Sequence, residues 1–225
     1  DTPYNALELD VPRTIMTECR PTNGFGFPEK NTVTYEFPGT KYTGKSLKWI
    51  WYDGPGAPEM HEDLMLPGME MKKDKKANKK DENSISLDAG VAGENELPEQ
   101  GAMFVGTKGR LLLPHFMQLP KKIRRGKYVD ITEEIAKVSE EHNLGEPIRN
   151  YGTEGPKHYH QFVDACLGKD TTTAPFDYAA RLTETILLGT IAGRFPGETL
   201  HWDAETAQFK EEKANKYLAG DYRDF

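Results

Sequence analysis

Few side chains in this sequence have a type and spacing that suit chemistry. His158 and His160 flank Tyr159 in the run Lys157-His158-Tyr159-His160. At i, i+2 on a helix they are expected to point apart. A zinc pair would favour i, i+4, so no metal site is read there. Trp51, Tyr52 and Asp53 end an apolar run beside Gly54-Pro55-Gly56. Aromatic faces with a carboxylate suit a sugar ring and its hydroxyls, although Trp49 and Trp51 share a strand face and core packing competes as an explanation. Asp164 and Glu184 lie in apolar helical stretches and read either as a buried acid pair or as solvated carboxylates. His61, His115, His142 and His201 show no partner pattern. No Ser/His/Asp or Cys/His set emerges, so no catalytic residue is assigned.

Nucleotide chemistry lacks its usual sequence signs. There is no G-x-G-x-x-G and no P-loop. Gly24-Phe25-Gly26 is followed by Phe-Pro-Glu and opens no helix. Gly106-Thr107-Lys108-Gly109 lies between two apolar runs and reads as a hairpin turn. No cofactor-binding residue is expected in this chain.

The elements that must position these groups centre on residues 151–203. Tyr159, Phe162, Val163, Cys166 and Leu167 fall at i, i+3, i+4, i+7 and i+8, an apolar helical stripe expected to be buried, with Cys166 as a small core hydrophobe. Pro156 suits a first turn and Gly168 a left-handed C-terminal cap. A second helix is expected over about residues 178–194, capped by Asp177 and buried through Leu182, Ile186, Leu187, Leu188 and Ile191. Residues 199–202 read as a strand.

Upstream, residues 1–9 read as the end of a helix and residues 13–19 as a strand. Residues 32–37 and 46–52 alternate with period two and read as antiparallel neighbours. Apolar runs at 103–105 and 111–113 flank the glycine turn. Residues 132–142 form a modest amphipathic helix, and a short helix is expected near 214–218. Residues 71–84 are lysine-rich but interrupted by acids and asparagines, and read as a solvated loop. Strands in runs and helices in runs give an α+β class, with an antiparallel or mixed open sheet and helices packed on one face. At 225 residues the chain is expected to form a single α+β domain, 1–225.

The net charge of −7 argues against nucleic-acid binding, and no run of 18 apolar residues suggests a membrane span. Cys19 and Cys166 lie far apart and make no disulfide framework. The chain opens on Asp1 rather than methionine, which leaves room for a leader or a domain upstream. The compartment stays open between bacterial cytoplasm and periplasm.

Several segments resemble the C-terminal domain of the Gfo/Idh/MocA family of NAD(P)-dependent oxidoreductases, in the form common in Bacteroidetes and Planctomycetes. They are GPKHYHQFVDACLG, FDYAARLTETILLGTIA, ETLHWD, NTVTYEFPG with LKWIWYDG, GAMFVGTKGRLLLPHF and the tail ANKYLAGDYRDF. The resemblance implies an N-terminal Rossmann domain absent from this chain, which would carry NAD or NADP and a Glu-Lys-Pro lysine. Glu29-Lys30 is followed by Asn31 and does not take that role. It also implies that Asp1 ends a D-x-G-x-H-x-x-D motif whose reactive Asp and His lie upstream. On this view the chain is a substrate-binding and oligomerisation domain, inactive alone, of an enzyme moving hydride between NAD(P) and a sugar or polyol. Its partners would be the Rossmann domain and further copies joined through the sheet. His158 then reads as a substrate hydrogen-bonding group, or else as a polar residue at a helix start. The other reading is a free-standing carbohydrate-binding or interaction module using an exposed sheet face.

Overall fold

A computed structural model describes residues 1–55, 57–59, 61–69, 96–115, 118–145 and 150–220. The lysine-rich run 71–84, Gly56 and the last five residues of the tail lie outside them. The chain forms two compact units: Asp1–Pro58 with Thr171–Phe225, and Glu59–Asp170.

The first unit is built on a five-stranded antiparallel sheet. Its strands are β1 (Thr14–Cys19), β2 (Asn31–Pro38), β3 (Ser46–Asp53), β8 (Thr199–Asp203) and β9 (Gln208–Phe209), in the order β3-β2-β1-β8-β9. Register explains the core. Ile15 lies opposite Tyr35 and Leu200, Val33 opposite Trp51, Tyr35 opposite Trp49, Phe37 opposite Leu47, and Trp202 opposite Phe209. Period-two alternation therefore puts all these side chains on one face. Ile15, Phe37 and Leu200 are fully buried, and each contributes about 1.5–3 kcal/mol before entropy is subtracted.

Helices cover that face. α4 (Phe176–Ala192) buries Thr185, Leu188, Gly189, Ile191 and Ala192. A Cβ at Gly189 would collide with the Tyr35 hydroxyl, so glycine sets how closely α4 approaches the sheet. The Thr17 hydroxyl donates to Gly189 O at 3.4 Å and the Cys19 thiol to Gly193 O at 3.6 Å. α1 (Thr2–Ala6) adds Tyr4, whose ring meets Phe37 and Tyr178 edge-on, and α5 (Glu212–Asn215) adds Ala214.

The second unit carries a four-stranded antiparallel sheet, β4-β5-β6-β7, from β4 (Gly101–Gly106), β5 (Gly109–Pro114), β6 (Lys121–Arg124) and β7 (Lys127–Val129). Leu112 and Ile123 share its buried face with Leu66, while Met103, Leu97 and Met69 pack around them. α2 (Thr132–Glu141) and α3 (Tyr151–Cys166) complete it. The class is α+β, and every described strand pairing is antiparallel.

Four expectations for the helices are corrected. α3 starts earlier than Pro156, which sits inside it. Gly155 precedes the proline and relieves the clash that a Cβ there would feel. The stripe on α3 keeps its period but is not buried: Tyr159 is 69% exposed, and Phe162, Val163, Cys166 and Leu167 are exposed too. Among the described residues no element of the same unit packs closely over it. α4 begins at Phe176 after Pro175, with Asp177 in its first turn rather than at the cap. Ile186 and Leu187 face outward, so α4 buries one face and not several.

Candidate functional site

α3 builds a polar concavity. Lys157, His160, Gln161 and Asp164 recur at i, i+3, i+4 and i+7 and therefore share one helical face. With His158 and Asp170 they line an open groove of about 470 Å³. The helix ends cleanly beside it. Gly168 takes φ +70°, Gly168 N–H donates to Ala165 O at 3.0 Å, and Lys169 N–H donates to Asp164 O at 2.8 Å. Lys157 is also tied to Glu154, with Nζ at 2.9 and 2.7 Å from its two carboxylate oxygens. The His158 ring stands edge-on to Tyr159, with centroids 5.7 Å apart.

His158 and His160 therefore line one groove despite their i, i+2 spacing. The groove is broad and wraps more than one face of α3. Among the described residues no three His, Cys, Asp or Glu side chains group to hold a metal ion. What the groove offers is hydrogen bonding: two imidazoles, a carboxamide, an ammonium and two carboxylates. That mixture suits vicinal hydroxyls, which both donate and accept.

A second concavity in the same unit, about 410 Å³, lies between β6–β7 and α2. Leu119, Tyr128, Ile131 and Ile135 give it an apolar lining, and Lys122 and Asp130 its charged groups. Asp130 accepts from Thr132 N–H at 2.9 Å and from the Thr132 hydroxyl at 2.7 Å. These bonds hold its carboxyl below the usual carboxylate range. Lys122 Nζ lies 2.9 Å from both oxygens of Glu134. Lys122 thus ties α2 to β6, and Asp130 holds the turn that opens α2. Sequence reasoning missed this cavity; the Asp130-x-Thr132 turn before an apolar-periodic helix was its only signal.

Trp51, Tyr52 and Asp53 belong to the first unit, at the end of edge strand β3. Alternation places Trp51 and Asp53 on the face that carries the core and Tyr52 on the other. Trp49 packs against the core, whereas Trp51 is 48% exposed. The three residues are neighbours in sequence but do not form one surface.

Glu184 and Asp164 lie in different units. Glu184 is engaged by Arg181 at 2.9 Å and by the Trp202 indole at 2.8 Å. His201 is held by Glu211, whose Oε1 lies 2.8 Å from Nδ1 and whose Oε2 accepts the His201 backbone N–H at 2.7 Å. Burial works to raise the Glu211 carboxyl, but these hydrogen bonds outweigh it and leave it lowered.

Gly106 and Gly109 pair across the β4–β5 hairpin, and Gly24 and Gly26 lie in a loop that leads into β2. Neither pair presents a helix N-terminus to a pyrophosphate. No protein-family model and no curated protein matches this sequence.

Proposed function

We propose that this chain is the substrate-binding and oligomerisation part of an oxidoreductase similar to the Gfo/Idh/MocA family, acting on a sugar or polyol with NAD(P). The α3 groove carries the reading. It gathers Lys157, His158, His160, Gln161, Asp164 and Asp170 within GPKHYHQFVDACLG and its flank, one of the segments on which the resemblance rests. The open antiparallel sheet with helices on one face supports it. The opposite face carries Met16, Thr34, Thr199 and Ile50 in one row, a surface suited to a second copy. On this reading NAD(P) and the proton-transferring groups belong to a Rossmann domain outside the chain, and the chain alone turns over no cofactor.

Calorimetry of the purified chain against neutral sugars and polyols, with an NAD⁺ turnover assay beside it, tests the reading. Weak polyol binding lost on replacing His158 and His160 with alanine supports it. NAD⁺ reduction by the chain alone sinks the division of labour. The exposure of Trp51 favours a second reading, a free-standing carbohydrate-binding module. That module would bind sugars tightly, lose binding in Trp51→Ala and keep it in the histidine variants.

A further inference from the structure

Two residues past the end of α4, Arg194 is held by aromatic rings. The Arg194 guanidinium lies 4.6 Å from the Tyr217 ring centroid and 5.9 Å from that of Phe27. Tyr217 is itself fixed edge-on against Phe195, with centroids 5.9 Å apart. A guanidinium held by cation–π contact rather than by hydrogen bonds keeps its N–H donors available for a ligand. Among the described residues the Arg194 guanidinium makes no hydrogen bond and no ion pair, while its backbone N–H donates to Ile191 O at 2.9 Å.

Its neighbours add to the positive field. Lys216 Nζ lies 4.9 Å from the Tyr217 centroid and likewise has no ion-pair partner among the described residues. Lys213 lies 5.0 Å from Phe195 and is neutralised by Glu198. In a chain of net charge −7, two cations on one tyrosine ring, neither with an ion-pair partner among the described residues, make a local exception. Beside them the loop before β2 projects two aromatic rings into solvent: Phe25 is 99% exposed and Phe27 is 60% exposed. Both ends of that loop are clamped, because Arg20 donates to Glu29 through Nε at 2.8 Å and Nη2 at 2.6 Å. Asn23 Oδ1 accepts the Phe25 and Gly26 backbone N–H groups at 3.1 Å.

We propose that Arg194, oriented by Phe27 and Tyr217 and assisted by Lys216, forms a binding site for the anionic group of a small ligand. That group is a carboxylate or a phosphate, and the ligand has an apolar face that rests on Phe27. The planar fork matches two oxygens of such a group, and the oriented side chain loses little freedom on binding. The site lies wholly in the first unit, and the inference stands apart from the reading of the α3 groove.

The test follows the Arg194 Nε–Hε resonance of the isotope-labelled chain at constant ionic strength. Inorganic phosphate, D-glucuronate and neutral D-glucose are the probes. Saturable shifts with phosphate or glucuronate, and none with glucose, are expected. Arg194→Gln should abolish binding as read on neighbouring backbone amides. Arg194→Lys keeps the charge but loses the fork and should weaken binding by about fivefold or more. Phe27→Ala removes an exposed ring, so it should weaken glucuronate binding with the melting temperature unchanged. Tighter binding of glucuronate identifies a carboxylate ligand, and tighter binding of phosphate a phosphorylated one. Non-saturable shifts, equal shifts with glucose, or undiminished binding in Arg194→Gln would overturn the proposal.

Discussion

The indole Nε1 of Trp202 donates to Oε1 of Glu184 at 2.8 Å, joining β8 to α4 at the edge of the first unit's core. Trp202 is buried and stacks edge-on with Phe209 at 4.9 Å, so its N–H has no ready exchange for water. Glu184 also receives Arg181, which reaches towards Asp10 at 3.8 Å. Glu184→Ala leaves the indole donor without its acceptor and should cost about 1–3 kcal/mol. Glu184→Gln keeps a carbonyl for the indole and loses only a half-exposed ion pair, so its cost should stay under about 1 kcal/mol. Urea denaturation of both variants checks the order. Equal losses would mean that the Arg181 pair, not the indole bond, is what Glu184 provides.

Gly189 and Tyr35 make a second, steric test. Burial pushes the Tyr35 phenol up to about 12, in keeping with a ring enclosed beneath α4. Gly189→Ala favours helix by propensity but drives a methyl into the phenol oxygen. The steric term should win, with a net loss of about 1–3 kcal/mol. Tyr35→Phe removes the oxygen and should recover part of that loss in the double variant. A cycle of thermal melts reads the coupling. Strict additivity would show that α4 moves away instead of pressing on Tyr35.

Legibility in the sequence followed the strength of each local signal. β2 alternates over eight residues, and β3 sets Leu47, Trp49 and Trp51 at the matching period opposite Phe37, Tyr35 and Val33, so their pairing was readable. β6 and β7 escaped notice. Lys-Lys-Ile-Arg and Lys-Tyr-Val have no alternation, and their turn rests on positive φ at Arg125 and Gly126. The α3 stripe shows the limit of periodicity: it specifies an amphipathic helix but cannot say whether anything packs on the apolar side. The groove was half legible. The two histidines stood out, yet Lys157, Gln161 and Asp164 carry the spacing that makes a shared face with His160. Arg194 gave no signal at all, because its aromatic partners come from residues 27 and 217, which only the fold brings to it.

The α3 groove gives a direct functional forecast. Each hydrogen bond to a ligand hydroxyl is worth about 0.5–1.5 kcal/mol net. Replacing His158 and His160 together should therefore weaken polyol binding by roughly 5- to 150-fold, since 1.4 kcal/mol is a factor of ten. Both side chains are exposed on α3, so folding should be unaffected. Asp164→Asn, which keeps an acceptor on the same face, should cost less than either histidine change. Calorimetry with one polyol across the variants measures this. Full affinity in the double variant would remove the groove from consideration as a substrate site.

Arg20 and Glu29 supply the pH-dependent case. The bidentate guanidinium holds the Glu29 carboxyl down from its ordinary 4.5 to about 2. A carboxyl depressed in the folded state favours folding wherever it is ionised. Its contribution is fully present above about pH 4.5 and is lost as pH falls through about 2. Both side chains are solvated, so the effect on global stability is small and shrinks with salt. The local effect is larger, because the pair clamps the loop that carries Phe25 and Phe27. A ¹³C titration of the Glu29 carboxyl should show a midpoint near 2, rising towards 4.5 in Arg20→Gln. In the same variant Phe27 should leave Arg194, and the Arg194 Nε–Hε resonance should lose its ring-current shift from Phe27 while keeping that from Tyr217. An ordinary midpoint for Glu29 in the intact chain would mean that the clamp is open in solution, and the orientation of Phe27 over Arg194 would need another cause.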